Sequence, residues 1–518
     1  MTSLLTWTPG QSTTTFTHSS EPLVLPQKSA PKRAFPELCK DITPSCHLNP
    51  LLFNGHLQTM WTAVNKAAPA VHYKRRVFAS EESSFKGHFT VDFAVAAPAR
   101  SGTAKDEGPE DQGLPEDLMG ARHARLPPQT TRLADKEFEH LSSEETKPLL
   151  TKEEGPEDQG LREDPLGVGH TRLPPRTTYF TDKEFEHLSS EDTKPLLITL
   201  HGLSGGSYEV YLRHVIEPLI RASTGEGSEQ GLSGGEWEAL VVNSRGCAGS
   251  KITSSILYNA RATWDVRQVV KWARQTWPNR PLYGVGYSLG ANILTNYLGE
   301  EGEDCLLDAA VIVSNPWKLE VSNLALKRTW LGSEVYSKTM GNNMRNLFET
   351  HKEEILKNKS LSEEKILQLK YLYEFDRAVQ CATWGYPTET AYYRDASSTD
   401  SVLSIRIPTF CLHARDDPIA SDEAVPYEEI QQTPWVVMCA TAGGGHLAWY
   451  ELSGGRWHAK PCAQIVQFLK QMQADVDFSK IDRKVGIAAK GPQGGHKTPF
   501  AFDPMRRKAH VPGSEAQH

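Results

Sequence analysis

The sequence predicts an α/β fold with a mostly parallel central sheet, helices on both faces and a helical cap insertion. Two observations carry that expectation. Five short apolar runs, "KPLLITLHG" (194–202), "EALVVNSRG" (238–246), "PLYGVGYS" (281–288), "AAVIVSNP" (309–316) and "PTFCLHARDD" (408–417), each end in polar or glycine-rich residues. Continuous apolar runs of this length suit strands covered on both faces, as in parallel sheets. Helical stretches such as "ARATWDVRQVVKWARQTW" (260–277) and "ANILTNYLG" (291–299) alternate with them, and a strand–helix alternation builds that architecture.

In chain order, residues 1–44 read as a flexible N-terminal tail. "HFTVDFAVAA" (88–97) alternates apolar and polar residues as a half-buried strand does, so residues 45–98 open the folded domain. Residues 99–193 interrupt it. "GPEDQGL" begins at Gly108 and Gly155, and "DKEFEHLSSE" at Asp135 and Asp182, both 47 residues apart. One tandem duplication is too few for a solenoid. Its units are rich in Pro, Gly, Glu and Asp and show no apolar period, which predicts a disordered acidic insert. Residues 194–316 and 397–473 carry the core strands. Between them, 317–396 break the rhythm with helical stretches such as "KLEVSNLALKRTWLGSEVYSKTM", which suit a cap over the carboxyl edge of the sheet. Residues 474–518, polar and rich in Gly and Lys, read as a flexible C-terminal tail.

A net charge of −8 over 518 residues argues against a nucleic-acid surface. No apolar run approaches the roughly 20 residues of a membrane helix, while peripheral membrane contact stays open. The N-terminus lacks the basic start and apolar core of a secretory signal. Eight cysteines are scattered without a C-x-x-C pair, which suits reduced thiols in the cytoplasm and offers no zinc site. No metal or organic cofactor is expected.

The chemistry turns on three G-x-S-x-G matches, centred on Ser204, Ser233 and Ser288. About 0.2 such matches arise by chance in a chain of this length with Gly and Ser near 7% each, so context has to choose among them. Ser233 lies in the polar stretch "STGEGSEQGLSGGEWE" with no strand before it. Ser204 follows a strand but sits among His201 and glycines, a loop suited to close backbone approach. Only Ser288 joins an apolar strand directly to a helix, the turn that exposes a nucleophilic Oγ above a sheet. In hydrolases of this design the oxyanion hole takes N–H groups from the residue after the nucleophile and from a loop after an earlier strand, which points to Leu289 and Leu203. The order Ser, acid, His, each past a strand end, is completed by Asp416 or Asp417 in "RDDP" and by His446 in "GGGH". Asp416 is favoured, with Asp417 as a turn residue before Pro418. A dinucleotide fingerprint in "GVGYSLG" would need glycine at Leu289 and fails. Cys247 has no evident base and reads as packing.

These motifs together resemble the AB hydrolase 4 (YheT-like) family of the α/β-hydrolase superfamily. "NPLLFNGHLQTMW" (49–61) is similar to its amino-terminal signature. "HGLSGGSYEVY" is similar to its oxyanion loop and "VVNSRGCAGS" to its Asn-x-Arg-Gly-Cys segment. "GYSLGAN", "RDDP" and "GGGH" follow in order, and "EFD" (374–376) and "YYRDAS" (392–397) resemble its cap. The resemblance covers about residues 45–98 and 194–473 and implies a triad of Ser288, Asp416 and His446. It also implies an esterase acting on a small-molecule acyl ester or lipid, with lipases acting on phospholipids and fungal medium-chain ethyl ester synthase/esterases among its members. Ala448 stands where the pattern expects glycine. "NGHLQT" carries no chemistry of its own and reads as structural, a brace for the sheet or a pocket wall.

Overall fold

In the computed structural model, residues 10–81, 85–97, 176–221, 232–459 and 464–485 are described. Ten strands form one sheet: β1 Thr14–Thr17, β2 His72–Ala79, β3 His88–Val95, β4 Thr177–Tyr179, β5 Leu196–Leu200, β6 Glu238–Asn243, β7 Leu282–Tyr287, β8 Ala309–Val313, β9 Thr409–Ala414 and β10 Val436–Thr441. The five apolar runs of the sequence become β5 to β9, and every residue of these strands is buried. The sheet runs β1-β10-β9-β8-β7-β5-β6-β3-β2-β4. The six strands from β10 to β6 are parallel. β3 pairs antiparallel with β6, β2 antiparallel with β3, and β1 antiparallel with β10.

The order reverses at β5. The chain passes from β5 to β6 on one side, then crosses to β7 on the other. In open parallel sheets such a reversal leaves a crevice at the carboxyl ends of the strands. β5 and β7 are in register there, with Gly286 opposite Leu200, so the loops after both strands open into one place.

Helices cover the faces. α1 (Gly55–Val64) precedes the sheet strand β2, and α2 (Val210–Ile220) and α3 (Trp264–Thr276) pack along the sheet. α3 buries Val266, Val269, Val270 and Ala273, the three-and-four spacing of a one-sided helix. α4 (Leu289–Glu301) is buried on nearly all its circumference. Within 317–396 lie α5 (Leu319–Arg328), α6 (Lys338–Ile355), α7 (Glu389–Ala396) and shorter turns. They meet the carboxyl side of the sheet, where His351 Nε2 lies 3.0 Å from the Gly246 carbonyl and Asn292 Nδ2 donates to the Ala396 carbonyl at 2.8 Å.

Three sequence expectations need correction. Of the flexible N-terminal tail expected at 1–44, the described residues 10–44 are folded. β1 pairs with β10, and Leu25, Phe35, Leu38 and Cys39 are fully buried in the core. The insert expected at 99–193 is ordered at its end, where β4 joins β2 and Phe185 stacks on Trp272 at 5.4 Å. The first copy of the duplication lies outside the described residues. Past Asp475, the tail expected from 474 continues to Val485, whose carbonyl accepts a 2.7 Å bond from the Trp435 indole.

Candidate active site

β7 ends at Tyr287, and the next residue turns the chain into α4. Ser288 takes φ 52° and ψ −119°, a region few non-glycine residues occupy, where backbone strain accompanies a sharp turn. The turn fits only because glycines flank it. A Cβ on Gly286 would stand 2.6 Å from the Gly290 carbonyl oxygen, and one on Gly290 would overlap the Leu200 and His201 carbonyls. The G-x-S-x-G spacing is thus a packing requirement that lets α4 start against β5.

Ser288 Oγ lies 2.9 Å from His446 Nε2. On the other side of the ring, His446 Nδ1 lies 2.8 Å from Asp417 Oδ2. With a carboxylate facing it, Nδ1 carries the proton and Nε2 is left to accept from the serine; the tautomer is assigned from these partners. The Asp417 carboxylate is buried, and its Oδ1 accepts the Ile419 and Ala420 N–H groups, each at 2.8 Å. The other two candidate serines, Ser204 and Ser233, spend their hydroxyls on backbone carbonyls, that of Leu203 at 2.7 Å and that of Trp237 at 2.8 Å.

The structure therefore puts Asp417, not Asp416, on the imidazole. Asp417 N–H closes a turn onto the Ala414 carbonyl at 3.0 Å, which swings the two side chains apart. Asp416 Oδ1 instead accepts the Gly445 N–H at 2.9 Å. Burial pushes its carboxyl above the usual range, against the backbone N–H groups that hold it down. Its role is to tie the acid loop to the histidine loop.

α1 secures the same loop from outside the sheet. Asn54 caps the helix by accepting the Leu57 N–H at 2.9 Å, the normal task of an N-cap asparagine. Thr59 Oγ1 accepts the His446 N–H at 2.9 Å and donates to the Gly55 carbonyl at 2.6 Å. Gln58 Oε1 accepts the Tyr450 N–H at 2.7 Å, and a Cβ on Gly55 would overlap the Asp416 carbonyl. "NGHLQT" is a brace for the histidine and acid loops. Sequence reading identified neither Thr59 nor Gln58 as part of the site. The only signal was a polar signature, Asn-Gly-His-Leu-Gln-Thr, in a segment otherwise rich in apolar residues.

The loop after β5 is held amide by amide. Gly202 N–H donates to the Tyr211 hydroxyl and Ser204 N–H to the Tyr258 hydroxyl, both at 2.9 Å. Among the described residues no hydrogen bond engages the Leu203 or Leu289 amide. His201 beneath them is buried, which lowers its pKa to about 4. Its Nδ1 lies 2.7 Å from the Gly202 carbonyl and its Nε2 accepts the Ser244 N–H at 3.0 Å, so a neutral ring with Nδ1–H satisfies both. The "NSRGC" segment is scaffold. Arg245 forms a two-bond pair with Asp265 at 2.8 and 2.9 Å, and Asn243 donates to Asp92 at 2.8 Å. Cys247 is buried, and burial pushes its thiol up to about 12, the state of a packing cysteine rather than a nucleophile. Among the described residues no cluster of His, Cys, Asp or Glu could hold a metal ion.

Residues 195–451 match the family described as alpha/beta hydrolase fold. The chain is 30% identical over 443 residues to a monoacylglycerol lipase of Saccharomyces cerevisiae, covering 84% of this chain and 82% of that one. It is 35% identical over 286 residues to medium-chain fatty acid ethyl ester synthase/esterase 2 of the same yeast, covering 52% of this chain and 60% of that one. It is 30% identical over 283 residues to Phospholipase ABHD3 of Mus musculus, covering 54% and 64%. The chain thus spans most of the first relative and less than two thirds of the other two. A parallel sheet that reverses order at β5, a serine turn at its carboxyl edge and this near-full-length similarity lead to one conclusion: the chain belongs to the α/β-hydrolase family.

Proposed function

We propose that this α/β-hydrolase, a carboxylic-ester hydrolase, cleaves medium-chain fatty acyl esters through an acyl-serine intermediate on Ser288. The observation that carries the proposal is the unbroken line from Ser288 Oγ through the two nitrogens of His446 to Asp417, at 2.9 and 2.8 Å. His446 Nε2 takes the hydroxyl proton as Oγ attacks the ester carbonyl, and Asp417 holds the ring and stabilises the imidazolium. Leu203 and Leu289 amides receive the oxyanion; the N–H groups on either side of Leu203 are already engaged by Tyr211 and Tyr258. Preorganised donors of this kind are worth about 3–4 kcal/mol each.

The leaving alkoxide takes the proton back from Nε2. A water then gives its proton to Nε2 and attacks the acyl carbon, and Ser288 Oγ leaves and recovers that proton. An alcohol following the same path yields a new ester, and the helices of 317–396 support this acyl transfer by limiting water at the serine. The similarity to a monoacylglycerol lipase over most of both chains favours a second reading, in which the ester is a glycerolipid carrying one acyl chain. The scattered buried cysteines, none in a disulfide among the described residues, support action in the cytoplasm.

The test is a series of p-nitrophenyl esters and monoacylglycerols of rising acyl length, assayed with and without a short alcohol. A kcat/KM maximum at medium length, together with an ester product that outgrows the alcohol-to-water ratio, is the expected outcome. A maximum at acetyl, or no turnover of any ester, overturns the proposal.

A further inference from the structure

α1 is built inside out. Its inward side chains are polar: Gln58 and Thr59 are buried and spend their hydrogen bonds on Tyr450 and His446. Its outward side chains are apolar: Met60, Trp61 and Val64 are exposed, Val64 by 68%. A helix facing water carries the opposite pattern. The preceding turn continues the face, with Leu51 exposed by 77% and Phe53 by 78%. Five of the eleven large apolar side chains exposed among the described residues fall within 51–64, so the exposure is concentrated and not scattered. From Pro50 to Asn65 there is no Lys, Arg, Asp or Glu. Leu452, also exposed, follows two residues after Tyr450, whose N–H bonds to Gln58 of the same helix.

We propose that this face, Leu51, Phe53, Met60, Trp61 and Val64, seats the enzyme on a zwitterionic lipid surface, with the active site opening beside it. The inference rests on the ester-hydrolase reading for the identity of the substrate. Three observations select lipid as the occupant. The face adjoins the chemistry, since the same helix turn holds the His446 N–H and its His56 stacks on Tyr336 at 5.7 Å. A medium- or long-chain ester partitions into a lipid phase, so an enzyme at the surface receives it without its crossing water. A zwitterionic lipid surface offers no net charge to pair with, and from Pro50 to Asn65 the segment carries none. An apolar helix face with Trp at its edge and an apolar tip beside it needs only hydrocarbon and interface to cover it.

The experiment is flotation of the full chain with phosphatidylcholine vesicles, run beside hydrolysis of p-nitrophenyl butyrate in vesicle-free buffer. The wild type is expected to float with the vesicles. The triple variant Leu51→Ser, Phe53→Ser, Trp61→Ser is expected to lose at least tenfold in bound fraction, while butyrate turnover stays within twofold. Leu367→Ser, at an exposed apolar position in the 317–396 helices, is expected to bind as the wild type does. Should the triple variant unfold, Phe53→Asp on the turn ahead of α1 gives the same readout. A wild type that stays in the aqueous fraction, or variants that float equally well, overturns the proposal. So does binding that requires anionic lipid, or a wild-type dimer that the triple variant abolishes, because either puts something other than zwitterionic lipid on the face. Vesicle binding without butyrate turnover leaves the surface standing and removes the ester-hydrolase reading instead.

Discussion

Asp416 and Asp417 are neighbours with the same side-chain group, and both bond to the loop that carries His446, yet they do different work. Strand context and triple glycine made Ser288 and His446 legible in the sequence. The acid was legible only to within one residue, because a turn of unknown type follows β9. The hydrogen bond from Asp417 N–H to the Ala414 carbonyl is what aims one carboxylate at the ring and the other at the Gly445 amide, and no side-chain pattern announces it. Asp417→Asn is expected to lower kcat by about 10⁴, the scale of losing the orienting carboxylate in a triad. Asp416→Asn keeps an acceptor for Gly445 N–H and is expected to lose less than about tenfold, the scale of one weakened hydrogen bond. Equal losses would show that both carboxylates serve the ring. Thr59 extends the same logic. Thr59→Val leaves the part-buried His446 N–H without its acceptor, an effect of about 1 kcal/mol on stability, with a fall in kcat that Thr59→Ser restores. A kcat unchanged in Thr59→Val would reduce α1 to packing.

At the scale of elements, the buried parallel strands could be read because their apolar runs are continuous, whereas β1 and β4 could not. "TTFT" and "TTY" carry little apolar character; they hold by main-chain pairing at the sheet edges. The elbow between β7 and α4 depends on its glycines, and Gly290→Ala is expected to cut both soluble yield and activity, since the new Cβ would overlap the Leu200 and His201 carbonyls at the end of β5. Normal expression with full turnover would contradict that packing. In the helices of 317–396, Asp376 is buried and accepts the Tyr393 hydroxyl at 2.7 Å. Burial pushes its carboxyl up to about 7, against the lowering effect of the Tyr393 bond. A folded pKa above the unfolded one means that the folded state binds more protons across that interval. Stability from this group is therefore present at low pH and declines as pH rises from the usual carboxylate range to about 7. Asp376→Asn is expected to raise Tm relative to wild type by on the order of a few °C at pH 8 and by less at pH 5. A gap that widens toward acid would contradict the sign.

At the scale of the molecule, residues read as a tail complete the sheet. β1 covers the β10 edge, and an uncovered strand edge invites pairing with another chain. Phe16 of β1 packs against the core cluster, so Phe16→Asp is expected to lower Tm by roughly 5 °C and to promote aggregation; an unchanged melt would make β1 dispensable. The whole arrangement, from sheet reversal to braced histidine loop, converges on one hydroxyl. The most direct measurement is therefore covalent: reaction of the 518-residue chain with a fluorophosphonate, followed by peptide mapping of the adduct. One adduct per chain on Ser288 is predicted, absent from Ser288→Ala and retained in Ser204→Ala and Ser233→Ala. Labelling that survives Ser288→Ala, or that maps to another serine, would contradict Ser288 as the nucleophile.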